Sequence, residues 1–494
     1  MTLWAKTIVP GAVFFELFAD EACTSSLEVQ KVDSTGSNGL VASTSFEHLN
    51  SSTTYYYRAC VQNDYLKMPG AAAGFFVSGK LTTLPEPDES TGLTFCAVGA
   101  PVTRASTLCP PGLNPWAATV DAIAAANPSL VVVNGGVLPT SHVRAIKTTL
   151  SEEEKVDRIM RLYQKQLGDA ALRRLLSSQV VLFGLNDDSH GSAAALMNEE
   201  MPPEKKEEET KSPKKGKKGK RGGGGDTPKS GSDGGDPRGA LTPAMKALKT
   251  CLPLELEDVA TRHAYSRSRF GRRADFFLLD TRGGAVGKTQ TAWLNNELAG
   301  SGCTWKFVVV PSIVSLDLPV GGGKAGSRPS SKEKKKKSSS KEAAEAAEVD
   351  AGGERQGTAA PDSGTVVLAE TISFVAAEGI SGVVFLTSDE RRLSAIQYSP
   401  KATGERAEAG LSAPPIHSFG IGPLGPSSGG GSGMSKAVKS LRPTFLIPEE
   451  SKVPAGAATF GKVDVSAGGS LTYTVCADAG APLHSVTVEP PKGD

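Results

Sequence analysis

Two carboxylates and an imidazole fall within five residues at Asn186-Asp187-Asp188-Ser189-His190. Such groups hold hard cations, and a held cation polarises a phosphoryl oxygen and turns water into a hydroxide-like nucleophile. Asp187, Asp188 and His190 are therefore candidate metal ligands. A second stretch, Ser388-Asp389-Glu390-Arg391-Arg392, sets Asp389, a fourth candidate ligand, beside two guanidinium groups. A guanidinium binds phosphate bidentately and needs no cation to do so. Arg391 is thus a candidate anion contact, and Arg282 in the Asp280-Thr281-Arg282 triplet is another. His417 precedes a Gly-Pro-Leu loop and is a candidate to reach the same pocket. Each group also has a structural reading. Asp187 or Asp188 can close an Asx turn that caps a helix over 191–197, Arg391 and Arg392 can pair with Asp389, and a lone histidine can be core.

Strand ends must position these groups. Four apolar runs open into polar turns: Leu93–Pro101, Leu130–Ser141, Val180–Gly191 and Gly379–Leu393. Continuous β-branched runs of this kind mark strands buried on both faces. Helical stretches separate them, at Ala117–Ala126, at Ser151–Ser178 behind an N-capping Ser151, and from near Thr289. Strands alternating with helices indicate an α/β domain over residues 93–494. Residues 1–87 read differently, as a small all-β fibronectin-like sandwich with strands at Val13–Leu17, Thr54–Val61 and Gly74–Leu81. The Pro-punctuated LTTLPEP links the two parts. Two segments, at about 199–240 and 321–363, are too rich in Lys, Glu, Gly and Ser to bury a core and are expected to be disordered insertions.

The ordered set of motifs resembles the PhoD-like alkaline phosphatase family. The carrying residues are the strand ending Leu279-Asp280-Thr281-Arg282, the helix with Gln290, Trp293 and Leu294, then Ser301 and a strand led by Trp305-Lys306. Further on, LAETISFVAAEGISGVVFLTSD resembles the helix and strand before the family's final metal loop, HSFGIGPLGP the loop after it, and residues 459–489 a closing hairpin. The resemblance implies an α/β metallophosphatase-like sandwich, phosphoester hydrolysis, and a divalent or ferric metal plus calcium. It also implies an aspartate at Ala100, an aspartate at Val137, a histidine at Ser189 and a histidine at Arg391. None of these four side chains is the one implied, and alanine and valine carry no donor atom. Two function classes stay open. One is a pseudophosphatase that binds a phosphate, a phosphoester or a protein partner, with no metal. The other is an active metal-dependent phosphatase or phosphodiesterase with rearranged ligands.

Other classes find less support. The stretch GGAVGKT imitates a phosphate-binding P-loop, but Arg282 stands where that motif needs its first glycine. No Gly-x-Ser-x-Gly elbow is present. Seven cysteines show no metal-like spacing, so buried free thiols are expected. Net charge is +1, with lysine runs confined to the two insertions, where solvated spacers are the plain reading, a protein partner is an alternative and nucleic acid a weaker one. No apolar run is long enough to span a bilayer. No signal peptide is read at the start, so an intracellular location is expected, or a secreted one if the N-terminus is truncated.

Overall fold

In the first 82 residues apolar side chains recur with period two, and the chain forms strands. A computed structural model describes residues 1–36, 38–62, 76–99, 117–135, 149–186, 246–247, 250–252, 265–281, 286, 288–311, 363–388, 393–422, 443–448, 458–477 and 479–491. The first strands are β1 (Thr2–Lys6), β2 (Gly11–Phe18), β3 (Ser26–Ser34), β4 (Val41–Ser45), β5 (Thr54–Gln62) and β6 (Phe76–Thr82). β1 pairs with β4, and β3-β2-β5-β6 form a four-stranded antiparallel sheet. Alternate residues Val13, Phe15, Leu17, Tyr55 and Tyr57 face a shared core with Leu3, Ala42 and Phe46. β3 and β4 escape a reading by pattern because β3 is an edge strand whose residues are mostly exposed.

A close fit at Gly79 helps fasten this part to the next. The Tyr57 hydroxyl crosses beneath Gly79 and donates to the Ser177 carbonyl at 2.5 Å. A Cβ on Gly79 would stand 2.3 Å from that carbonyl oxygen and 2.6 Å from the Tyr57 oxygen. Gly79→Ala is therefore expected to destabilise this junction by about 1–3 kcal/mol. Limited proteolysis should then release the first 90 or so residues faster than from the unaltered protein.

Beyond Leu93 the strands are β7 (Leu93–Gly99), β8 (Leu130–Asn134), β9 (Val181–Asn186), β10 (Ser266–Phe270), β11 (Ala274–Leu278), β12 (Asp280–Thr281) and β13 (Trp305–Val310). They continue as β14 (Val383–Ser388), β15 (Ser394–Tyr398), β16 (Ile416–Ile421), β17 (Pro443–Phe445), β18 (Thr459–Val465), β19 (Leu471–Ala477) and β20 (Pro482–Val488). The helices are α1 (Ala117–Ala125), α2 (Glu152–Leu167), α3 (Ala170–Ser178), α4 (Lys288–Gly300), α5 (Ser363–Glu378) and α6 (Gly404–Glu408). Ser151 and Glu154 close a reciprocal capping box at the start of α2.

Two seven-stranded sheets face each other. The first has the order β12-β9-β8-β7-β18-β19-β20 and the second β10-β11-β13-β14-β16-β15-β17. β12, β9, β8 and β7 run parallel, as do β11, β13, β14 and β16. Phe95, Phe276 and Phe307 meet between the sheets with ring centroids 4.9–5.2 Å apart. α1, α2 and α3 cover the outer face of the first sheet, and α4 and α5 that of the second. Strands such as LVVVN are buried on both faces, which is why they read as unbroken apolar runs.

Two segments depart from the sequence reading. HSFGIG is not a loop: Ile416–Ile421 is a fully buried parallel strand, with Phe419 and Ile421 in the inter-sheet core. The closing segment is a three-stranded meander, β18-β19-β20, not a two-stranded hairpin. The two proposed insertions fall outside the described residues except at Ser363, which opens α5.

Candidate functional site

A parallel strand carries its functional loop at its carboxyl end, and here the carboxyl ends of both sheets meet. Gly99 N–H at the end of β7 donates to Gly422 O, just past β16, at 2.9 Å. Asn134, the last residue of β8, sends its side-chain amide across to Val310 O at 3.2 Å and Leu386 O at 3.0 Å. One fully buried amide thus ties the end of β8 to those of β13 and β14. Glycines permit this approach. A Cβ on Gly184 would lie 2.9 Å from Pro311 Cγ and 3.2 Å from Asn134 Oδ1, and one on Gly422 would lie 1.6 Å from Thr459 Oγ1.

Gly184, Asn134 and Gly99 are register neighbours and form the floor under the loops. Two oxygens at this end, Asn134 Oδ1 and Thr459 Oγ1, are buried without a hydrogen-bond partner. Sequence reading missed both residues. The one signal was a polar residue closing the apolar run LVVVN.

β12 enters the floor from the other sheet. After β11 the chain crosses over: Leu279 N–H still donates to Val309 O, and Asp280–Thr281 then pair with Leu185–Asn186 of β9. Gln290 on α4 holds the crossing, its amide accepting from Asp280 N–H at 2.8 Å and donating to Asp280 O at 2.9 Å. A side-chain amide here replaces the strand partner the backbone has lost. Asp280 is accordingly buried at a sheet-to-sheet crossing.

The metal candidates Asp187, Asp188, His190 and Asp389 lie outside the described residues, as do Arg282 and Arg391 and the positions Ala100, Val137 and Ser189. Each follows within four residues of a described strand end: Gly99, Asn134, Asn186, Thr281 or Ser388. Among the described residues no group of three His, Cys, Asp or Glu side chains is close enough to hold a metal. Besides Asp280 and Thr281 of β12, the floor supplies one amide, one hydroxyl and three glycines. Donors for a two-cation centre would have to come from the loops, and the two loops starting at Ala100 and Val137 bring an alanine and a valine in place of carboxylates.

His417 does not reach this end. It pairs with Val384 near the start of β14, whereas Ile421 pairs with Ser388 at its end. The ring therefore sits toward the amino-terminal edge, buried beside Trp305 and Phe419. Burial lowers its pKa to about 4, so it is neutral at physiological pH.

Other residues that carried the resemblance also serve the amino-terminal edge. Trp305 Nε1 donates to Gly469 O at 2.8 Å. Lys306 Nζ, its pKa lowered by burial, donates to Cys303 O and Ser381 O. Ser301 donates to the fully buried carboxylate of Asp275, which also pairs with Arg267 at 2.7 Å, and Arg267 reaches on to Glu297 at 2.6 Å. Cys96, Cys251 and Cys303 are free thiols pushed up to about 12, 11 and 11, in each case chiefly by burial. They are protonated and unsuited to metal ligation or nucleophilic attack.

Two facing mixed sheets flanked by helices, with parallel strands ending together at one edge, define a metallophosphatase-like α/β sandwich. The chain superposes on the structure of PhoD with a TM-score of 0.55 and 14% identity, covering 96% of this chain and 83% of that one. A second similar structure is the purple acid phosphatase PPD1 from yellow lupin seeds, with a TM-score of 0.49, 11% identity, and coverage of 99% and 72%. At this level of identity the likeness to PhoD establishes the fold. Neither protein-family profiles nor curated sequences give a match. No helix among the described residues is long and apolar enough to cross a membrane.

Proposed function

We propose that this chain is a pseudophosphatase: a PhoD-fold protein that binds a phosphate or phosphoester and has lost two-metal hydrolysis. The observation that carries this reading is the composition of the strand-end edge. The loops there begin Gly99-Ala100 and Gly136-Val137, and the floor beneath them offers neutral donors apart from the buried Asp280, whose backbone Gln290 holds. A bridging carboxylate keeps two cations a few ångströms apart, and neither alanine nor valine can supply one. Arg282 and Arg391 follow β12 and β14 and provide cation-free contacts for an anion. In the same reading residues 1–87 are a fibronectin-like module, residues 93–494 the phosphatase-like unit, and the lysine-rich insertions at about 199–240 and 321–363 a docking element for a protein partner.

A specific observation favours a second reading, an active enzyme with a rearranged site. Asn134 touches Leu386 on β14 and is paired with Gly184 on β9. Asp187 and Asp389 each lie three residues further along those strands, so both leave from the neighbourhood of one side chain. With Asp188 and His190 they would make a set for one cation.

Metal analysis, phosphate calorimetry and an aryl-phosphate assay on the full chain separate the two. The pseudophosphatase should contain no stoichiometric metal and show no turnover. Its phosphate affinity should fall about tenfold or more on Arg391→Ala or Arg282→Ala, the loss of one charge-assisted hydrogen-bonded contact. Stoichiometric metal with turnover abolished by Asp187→Ala would establish the enzyme instead.

A further inference from the structure

We propose that His417 is an acid-operated latch between the two sheets, whose protonation releases the β18–β19 hairpin from the second sheet. The ring lies against the residues that hold this hairpin in place. On one side is Trp305, at 6.3 Å between centroids, whose indole N–H bonds to Gly469 in the β18–β19 turn. On the other is Phe419, at 6.4 Å, which stacks on Tyr473 of β19 at 4.3 Å with an interplanar angle of 3°. The Tyr473 hydroxyl in turn donates to Gly420 O. His417 thus sits between the two fastenings of one hairpin.

Its own polar atoms gain nothing there. Both Nδ1 and Nε2 are without a hydrogen-bond partner, and the residue is 4% exposed. Its strand neighbours are Val384 on β14 and the neutral amide of Gln397 on β15. The charged groups at this edge are engaged elsewhere or exposed. Arg273 bonds to Thr304 and Ala467, Lys306 to the Cys303 and Ser381 carbonyls, Asp275 to Arg267 and Ser301, while Arg272 and Glu489 are exposed. No charge acts appreciably on the ring, and burial alone depresses its pKa. An imidazolium in this position would be a buried, unpaired cation, which the structure can accommodate only by opening.

The sign follows from linkage. Well above pH 6.5 the ring is neutral in both the folded and unfolded chain, and His417 contributes no pH dependence. Below 6.5 the unfolded chain takes up a proton that the folded chain refuses until about pH 4, so stability is lost as pH falls through that window. From pH 7 to pH 4.5 this one group should raise the unfolding constant on the order of fiftyfold.

The test is urea unfolding of the full chain at pH 7 and pH 4.5 for the unaltered protein, His417→Phe and His417→Gln. Both variants should lose the fiftyfold share, and hydrogen exchange at 305, 419 and 466–470, corrected for intrinsic rates, should quicken in acid only when His417 is present. Equal pH dependence in all three proteins would overturn the latch. Should neither variant fold, the proton NMR titration of His417 in the unaltered protein decides. A midpoint below pH 5 with concerted shifts at Trp305 and Tyr473 supports the latch, and a midpoint near 6.5 rejects it.

Discussion

Asn134→Asp is expected to cost about 3–5 kcal/mol, measured as the shift in urea unfolding at pH 8. The amide of Asn134 donates to two backbone carbonyls on different strands of the facing sheet. A carboxylate there would present negative charge to both and leave them facing a repelling oxygen. A buried aspartate without donors keeps its proton, so the variant's folded pKa should lie above the ordinary value near 3.9. The folded variant then binds more protons than the unfolded one above that pH, and its stability falls as pH rises. This slope is opposite to the one expected from His417, which makes the two effects separable in a single pH series. Asn134→Leu keeps the branched heavy-atom outline and loses the hydrogen bonds. It should cost about 2–3 kcal/mol with no such slope. Because the strap sets the spacing from which Asp187 and Asp389 depart, both variants should also weaken phosphate binding under conditions where they remain folded.

The framework around Asn134 was readable in the chain where burial is two-sided. Val131–Val133, Phe307–Val310 and Val383–Leu386 are covered by helices on one face and by the opposite sheet on the other, so each is apolar throughout. β16 was misread for the complementary reason. His417, Ser418 and Gly420 interrupt its apolar pattern, and only the packing of α5, β14 and β19 around it makes a buried strand of that sequence. The role of Asn134 was not readable at all, because its partners stand 176 and 252 residues away. No local period encodes such a contact. What could be read at the candidate site is chemical type. Alanine at 100 and valine at 137 have no donor atoms whatever the loop does, while the arrangement of Asp187, Asp188 and His190 depends on a backbone path that their types do not specify. The matched motif around Gln290, Ser301, Trp305 and Lys306 turned out to carry folding rather than chemistry. Gln290 splints the crossing of Asp280 between sheets, and the other three fasten the amino-terminal edge.

The same edge supplies the second large effect. Asp275→Ala is expected to destabilise the protein by about 3–5 kcal/mol, because removing one partner of a buried pair strands the others. Asp275 is wholly buried and receives Arg267 through two nitrogens, at 3.3 and 2.7 Å, as well as the Ser301 hydroxyl. Without it the Arg267 guanidinium keeps Glu297 and its packing over the Phe277 ring at 5.6 Å. Arg267 is partly solvated, which places the expected loss nearer the lower end of that range. Removing both charges should cost far less. Arg267→Met combined with Asp275→Leu exchanges a desolvated ion pair for apolar contact, and buried pairs replaced in this way are often neutral in stability. A double-mutant cycle in urea should therefore give a coupling energy of about 2–3 kcal/mol between the two positions. A coupling near zero would mean that Asp275 is held by Ser301 and the backbone alone. The cluster lies at the edge opposite the candidate site, so Asp275→Ala should lower the unfolding midpoint and leave phosphate affinity unchanged at temperatures where the protein is folded. In Asn134→Asp both readouts should move together. Measured side by side, the two variants distinguish a residue that holds the fold from one that holds the site.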